Sequence, residues 1–309
     1  MHPYIGSGPY CYSNSLAMLL GEHAPATGVI ETLTGSPFGF QLENGSTPYF
    51  DPAGWHPEIG LTAAIELLGW SCVRSDGGSA AAALDRLRAA CAQGPALAGP
   101  LEMGLLTYRP NGGIAIGADH YVVVLAVEDD TVLLHDPQGN PFATLPTGAF
   151  LEAWRGEQMT YIDTPFVLRS GFVRDRVVSP IDALASAVPQ AIRALAGASD
   201  TVEEFAEVVA RGLAPEIRNL LAIFSIRVGT RRLLDASASL TMLGRIEAAT
   251  LAAAQSRIVG SLQYPLVVGD DAAFIATLHR LAPGYDRLRR ALADFRAHLG
   301  GYTSAAGTS

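Results

Sequence analysis

In the stretch Gly8-Pro9-Tyr10-Cys11-Tyr12-Ser13-Asn14-Ser15-Leu16-Ala17-Met18-Leu19-Leu20, a turn dipeptide is followed by a cysteine and then by a run of small and apolar residues. This order predicts a buried helix with Cys11 in its first turn. The first N–H groups of a helix lack partners within it and favour a negative charge, so a cysteine there is a candidate nucleophile. The helix dipole contributes only about 0.3–1 kcal/mol, so the thiol also needs a base.

The candidate base and its partner lie on a predicted β-hairpin. Residues 121–127 and 131–135 are both rich in β-branched and aliphatic side chains, and an acidic turn separates them. His120 begins the first strand and Asp136 follows the second, so antiparallel pairing brings the two side by side. The sequence therefore predicts His120 as the base for Cys11 and Asp136 as the group that orients it.

Composition limits the classes of protein to which the chain can belong. The chain has 309 residues and a net charge of −9, and all 21 of its cationic residues are arginines. An acidic chain without a basic surface is a poor candidate for binding duplex nucleic acid. Three cysteines form no disulfide framework and favour a reducing, cytoplasmic setting. Neither a signal peptide nor an apolar run long enough to span a membrane is predicted.

The patterns along the chain divide it into two parts. Short helices and strands alternate as far as about residue 170, whereas helical periodicity dominates from about residue 179. The predicted domains are 1–170 and 178–309. The predicted fold class is α+β: a nucleophile helix packed on an antiparallel sheet, followed by an all-α helical bundle. In the second part, Asp200 and Glu203 have the spacing of a capping box, and Pro283-Gly284 is predicted to separate two helices.

The other candidate residues of the first part receive ordinary structural interpretations. Asp119 is predicted to be a turn or cap residue, and strand alternation directs His135 away from Asp136. Cys72 and Cys91 are predicted core residues. No metal site is predicted, because the histidines and cysteines lack the spacing of known metal motifs.

Several short motifs, taken in order, give the first part a family resemblance. They are Cys11-Tyr12-Ser13-Asn14, Gly60-Leu61, Gly94-Pro95, Asp119-His120-Tyr121-Val122-Val123-Val124 and His135-Asp136-Pro137. Residues 1–170 resemble the N-terminal family of the butirosin biosynthesis protein H type, which is related to the bacteriocin-leader (C39) peptidases. The resemblance implies a papain-like fold with a Cys-His-Asp triad. A helical C-terminal domain is also similar to a common arrangement in that family.

The resemblance further implies a cysteine-dependent acyltransferase or amide synthase of natural-product biosynthesis. In this family an acyl group passes from the phosphopantetheine thioester of an acyl carrier protein, or from CoA, to a cysteine and then to a small-molecule amine. No bound cofactor is implied. A C39-like peptidase, a thioester hydrolase and an intramolecular cyclase are alternatives on the same scaffold, and a non-catalytic binding module is a further one.

The chain departs from the related peptidases just before the cysteine. Those enzymes carry a glutamine there as an oxyanion donor, whereas residues 3–8 are Pro-Tyr-Ile-Gly-Ser-Gly. Loss of one such donor costs about 2.7–4 kcal/mol of transition-state stabilisation, which hinders amide cleavage more than thioester exchange. Besides the Cys11 N–H, the candidate donors are Tyr4, Ser13 and Asn14.

The helical part contains a candidate docking patch. Arg227 and Arg231 lie four residues apart on one predicted helix face, and Arg232 adjoins them. Because carrier proteins are acidic and their prosthetic arm bears a phosphate, these arginines are candidate docking residues. A solvated helix face is the alternative interpretation, and the apolar helices of this part make a homodimer plausible.

Overall fold

The computed structural model describes residues 10–294. In the first part of the chain, helices and strands alternate as the sequence patterns predict. The helices are α1 (Cys11–Leu20), α2 (Thr27–Leu33), α3 (Pro57–Leu67), α4 (Ala80–Cys91) and α5 (Thr147–Trp154). The strands are β1 (Gln41–Glu43), β2 (Thr47–Tyr49), β3 (Trp70–Ser75), β4 (Ala96–Glu102), β5 (Asp119–Glu128), β6 (Thr131–Asp136), β7 (Asn140–Pro146) and β8 (Leu168–Arg174).

Six of these strands form one antiparallel sheet in the order β3-β8-β4-β5-β6-β7, and β1 pairs only with β2. The predicted hairpin is β5 and β6, in which Val123 lies opposite His135 and Glu128 opposite Thr131. The sequence patterns did not predict β1, β2 and β7. These strands carry turn residues and prolines instead of a clear apolar alternation, so only their partners identify them.

The sheet has an apolar core on each face, because successive residues of its central strand point to opposite sides. Val122 and Val124 pack with Leu134 and Trp154 in the core that also contains residues of α4 and α5. Tyr121 packs in the other core, together with Cys11 and residues of α2 and α3. The first part is thus a mixed α/β structure with its nucleophile-candidate helix against an antiparallel sheet.

The second part is helical throughout its described length. It comprises α6 (Pro180–Ala194), α7 (Ala198–Arg211), α8 (Pro215–Leu220), a π-helical turn at Leu221–Ser225, α9 (Ile226–Met242), α10 (Ile246–Ser261), α11 (Gln263–Val268) and α12 (Asp271–Ala293). Within residues 10–294, no helix is both long and apolar enough to cross a membrane.

Two helix boundaries differ from the predicted ones. Asp200 lies inside the first turn of α7, which begins at Ala198 after Gly197, so Asp200 is not its cap. Helix α12 continues through Pro283 and Gly284 instead of ending there. A side chain at Gly284 would lie 2.9 Å from Nε2 of Gln255, so the glycine permits close packing of α10. Burial against neighbouring helices therefore overrides the local helix-breaking signal.

The two parts share their cores. Phe38, Phe40 and Phe50 of the first part pack in the core of the helical region. Conversely, Ala183 and Leu184 of α6 pack in the core that contains Cys11. The sheet ends at the end of β8 and α6 begins six residues later, close to the predicted division, but apolar residues cross that division in both directions.

Candidate active site

The structure brings His120 and Asp136 together, as antiparallel pairing of β5 and β6 predicts. Nε2 of His120 lies 2.8 Å from Oδ1 of Asp136, and both side chains are fully buried. Asp136 follows Val132 and Leu134 on the inward face of β6, so alternation along the strand directs it to this position.

The Asp136 carboxylate has a dense set of donors. The Gln138 N–H donates to Oδ1 at 2.8 Å, and Tyr108 Oη and Asn140 Nδ2 donate to Oδ2 at 3.1 and 3.3 Å. Arg109 adds a cation 3.6 Å from Oδ2. Burial alone would raise the pKa of this carboxyl, but His120, the Gln138 N–H and Arg109 outweigh burial and lower the pKa to about 2.

An ionised Asp136 determines which nitrogen of His120 is basic. A carboxylate only accepts hydrogen bonds, so Nε2 of His120 carries the hydrogen and donates it. In the neutral ring the lone pair then lies on Nδ1. This atom is buried and has no hydrogen-bond partner among the described residues. A general base requires an imidazole nitrogen with a free lone pair, in a ring that a second group holds in place. Nδ1 of His120 meets this requirement, because Asp136 binds the other ring nitrogen.

The Cys11 thiol lies at the strand that carries His120. The backbone N–H groups of Tyr121, the residue after His120, and of Tyr12 are near the sulfur and favour its ionised form. Burial raises the pKa of the thiol and the nearby Asp119 carboxylate raises it further, whereas the two N–H groups lower it. The net direction is upward, so the helix start does not by itself produce a thiolate, and the thiol still needs a base.

The thiol and the imidazole are neighbours along the strand but are not hydrogen-bonded to each other. Nδ1 of His120 has no partner, and this includes the sulfur of Cys11. In many ligand-free enzymes the hydrogen bonds between catalytic groups are long and shorten only when substrate binds. Of the three predicted catalytic residues, His120 and Asp136 are therefore paired, whereas Cys11 of α1 packs in the same core as Tyr121, the next residue of β5.

The candidate oxyanion donors differ in availability. Ser13 Oγ is fully buried and donates to Oε2 of Glu31 at 2.6 Å, so it already has an acceptor. Asn14 is half-buried in the first turn of α1. Tyr4 lies outside the described residues. The backbone N–H of Tyr121, which lowers the pKa of the Cys11 thiol, is a further candidate donor that the sequence patterns did not indicate.

The three candidate docking arginines do not form one surface patch. Arg232 is buried, and its guanidinium pairs with Glu31 and Asp51 at 2.9 and 2.8 Å, so it is not a surface docking residue. Arg231 is partly exposed and pairs with Asp235. Arg227 is exposed and donates to a backbone carbonyl of its own helix region. Helical spacing correctly placed Arg227 and Arg231 near one another, but it could not show that Arg232 faces inward.

The remaining candidates behave mostly as predicted. His135 faces away from Asp136, and its ring packs against Phe142 at a centroid distance of 4.5 Å. Cys72 and Cys91 are half-buried and pack at the margins of two different cores. Asp119 is the exception: it begins β5 and accepts a hydrogen bond of 2.6 Å from Tyr161 Oη, and therefore is not a turn residue.

Several residues of the site carried no sequence signal. Tyr108 and Arg109 come from the connection between β4 and β5, where composition indicates only a loop. Glu31 is a single acidic residue in the apolar run Val29-Ile30-Glu31-Thr32-Leu33, and that isolation could have predicted a buried charge. Residues 10–294 contain no group of three or more His, Cys, Asp or Glu side chains placed to hold a metal ion.

The chain is similar to one protein family in its helical part and to one curated protein over about half of its length. Residues 192–293 match the YobF C-terminal domain family, which covers the end of α6 to the end of α12. The chain is also 36% identical over 165 residues to "Uncharacterized protein YobF" of Bacillus subtilis (strain 168). This alignment covers 51% of the chain and 52% of the relative, so the chain spans about half the length of the curated relative that it matches. Neither match names the butirosin or C39 families.

Proposed function

We propose that the chain is a cysteine acyltransferase with a papain-like catalytic part, in which Cys11, His120 and Asp136 act as nucleophile, base and orienting carboxylate. The observation that carries this proposal is the buried His120–Asp136 pair with a free Nδ1, on a strand whose next residue, Tyr121, packs in the same core as Cys11. An unpaired buried polar atom costs about 1–3 kcal/mol, so a free Nδ1 on a ring whose other nitrogen is held by a carboxylate favours a functional over a structural role.

The proposed reaction proceeds in two steps. In the first, Cys11 Sγ attacks the carbonyl carbon of an acyl thioester while His120 Nδ1 takes the thiol proton. The bond to the leaving sulfur breaks, and His120 returns the proton to that thiolate. In the second, an amine attacks the Cys11 thioester and gives a proton to His120, which passes it to the departing Cys11 sulfur. The products are an amide and the free enzyme.

The raised pKa of Cys11 and the lowered pKa of Asp136 fit this division of roles. A thiol that stays protonated at neutral pH depends on His120 for its activation. A carboxylate that stays ionised stabilises the imidazolium which forms when His120 accepts the proton. We further propose an acyl carrier protein or CoA as the acyl donor, a small-molecule amine as the acceptor, and a cytoplasmic location.

An acyl-enzyme adduct tests the proposal directly. The protein would be incubated with acyl thioesters of N-acetylcysteamine, of CoA and of a carrier protein, and its intact mass measured. We expect one acyl increment in the wild type and in Cys91→Ala, and none in Cys11→Ala or His120→Ala. An unchanged increment in Cys11→Ala would refute the proposal.

The fate of the adduct separates the alternatives on this scaffold. An added amine should accept the acyl group from a transferase, whereas a hydrolase would release the free acid regardless of the amine. A non-catalytic binding module is the second candidate function, because Cys11 and His120 are not hydrogen-bonded in this structure. That candidate predicts no adduct with any of the three thioesters.

A further inference from the structure

A buried charged cluster surrounds the first turn of α1. Its centre is Glu31 of α2, which is fully buried, and its cation is Arg232 of α9, which is 5% exposed. Nε of Arg232 donates to Oε1 of Glu31 at 2.9 Å, and Nη1 donates to Oδ2 of Asp51 at 2.8 Å. The two arginine nitrogens thus bind carboxylates from two different segments of the first part.

The residues on both sides of Cys11 are attached to this cluster or to its neighbour on α9. Tyr12 Oη donates to Oε1 of Glu31 at 2.6 Å, and Ser13 Oγ donates to Oε2 at 2.6 Å. Tyr10 Oη donates to Oδ2 of Asp235 at 3.0 Å. The nucleophile-candidate helix is therefore held at its first turn by groups from α2 and α9, besides its apolar packing on the sheet.

Arg232 makes the direct connection between the helical region and this turn. Its Nη2 donates to Tyr12 Oη at 2.9 Å, and its guanidinium lies 5.0 Å from the centroid of the Trp55 ring. The planar guanidinium uses three separate nitrogens to bind three side chains, a geometry that the single ammonium group of lysine cannot reproduce.

We propose that Arg232, although it lies in the helical region, is a positioning residue for Cys11, acting through Glu31 and Tyr12 on the first turn of α1. The inference depends on the proposed function only in taking Cys11 as the reacting group. It gives the helical region a role in the candidate active site: it supplies the cation without which Glu31 would be an unpaired buried charge behind the nucleophile.

The charges around Cys11 determine whether each substitution in the cluster should increase or decrease the fraction of Cys11 that is thiolate. Two carboxylates raise the pKa of the Cys11 thiol: Asp119 from β5, which has the larger effect, and Glu31 from α2. Removing the cation of Arg232 leaves Glu31 uncompensated and should disfavour the thiolate further. Removing the charge of Glu31 should have the opposite effect.

The test is the rate at which iodoacetamide alkylates Cys11, followed by peptide mass spectrometry at several mildly alkaline pH values. Below the pKa of a thiol this rate is proportional to the thiolate fraction, so one pKa unit corresponds to about a tenfold change. We expect Arg232→Met to slow alkylation of Cys11 by about threefold and Glu31→Gln to accelerate it by about threefold. The double variant E31Q/R232M should lie between the two single variants, close to the wild-type rate.

Cys72 and Cys91 are internal controls in every sample, and Arg218→Met is the matched control variant. Arg218 forms an ion pair of 2.8 Å with Asp271 in the helical region and contacts none of the cluster residues.

Two outcomes would overturn the proposal: a folded R232M protein whose Cys11 is alkylated at an unchanged or faster rate, or an equal slowing of Cys11 alkylation in R218M. If R232M does not give the wild-type circular-dichroism spectrum, E31Q alone decides, and an unchanged Cys11 rate in it overturns the proposal. Because alkylation needs no acyl donor, this result is independent of whether Cys11 forms an acyl adduct.

Discussion

The substitution Asp136→Asn should change how the stability of the protein depends on pH. The carboxyl of Asp136 has its pKa lowered from 3.8 to about 2, because the hydrogen bond and charge of His120, the Gln138 N–H and Arg109 together outweigh burial. In the folded protein this group therefore binds a proton more weakly than in the unfolded chain. Its contribution to stability is complete above the unfolded pKa and is lost as the pH falls through about 2.

The size of the effect follows from the difference in the pKa of Asp136 between the unfolded and folded protein. A pKa difference of about 1.8 is worth roughly 2 kcal/mol of unfolding free energy at neutral pH. About 1 kcal/mol of it should already be lost at about pH 3, where the unfolded state is mostly protonated at this group and the folded state is not. The asparagine variant lacks this titration, so the difference in stability between wild type and variant should shrink by that amount.

The assay is urea unfolding of both proteins at several values between about pH 6 and pH 3, with linear extrapolation to water. Taking the difference between the two proteins cancels the other carboxyl groups, which titrate in both. A difference in unfolding free energy that stays constant over this range would refute the inferred electrostatics of the His120–Asp136 pair.

Two further substitutions test the packing around the site. Gly229→Ala should destabilise the protein by about 1–3 kcal/mol, although alanine is the better helix former, because its Cβ would lie 2.4 Å from Cγ of the Phe50 ring. Gly260→Ala, where the nearest side-chain atom would be 3.4 Å away, is the control in thermal unfolding and should have little effect or stabilise. Ser13→Ala should cost about 1.5–3 kcal/mol in urea unfolding, because it removes a hydrogen bond to the buried Glu31 carboxylate. In a Glu31→Gln background the same substitution should cost only about 1 kcal/mol, and equal costs in the two backgrounds would contradict a charged acceptor.

Much of the first part of the fold could be predicted from local patterns. The β-branched and aliphatic residues of 121–127 and 131–135, on either side of an acidic turn, predicted the hairpin, and the Gly8-Pro9 dipeptide predicted the start of α1. The pairing of His120 with Asp136 was also predictable, because the turn between β5 and β6 determines their register. These features depend on neighbouring residues in the chain, so the sequence contains the information that specifies them.

Other features depend on contacts between distant segments, and only the tertiary structure decided them. Arg232 and Glu31 are 201 residues apart, and helical periodicity indicated only which residues share a face with Arg232, not that this face is buried. In the same way, Phe38, Phe40 and Phe50 belong to the core of the helical region although they lie in the first part of the chain. The sequence by itself determined the candidate nucleophile, base and orienting carboxylate. The tertiary structure determined which cation neutralises the carboxylate behind the nucleophile, because burial and charge pairing are set by whichever elements fold against each other.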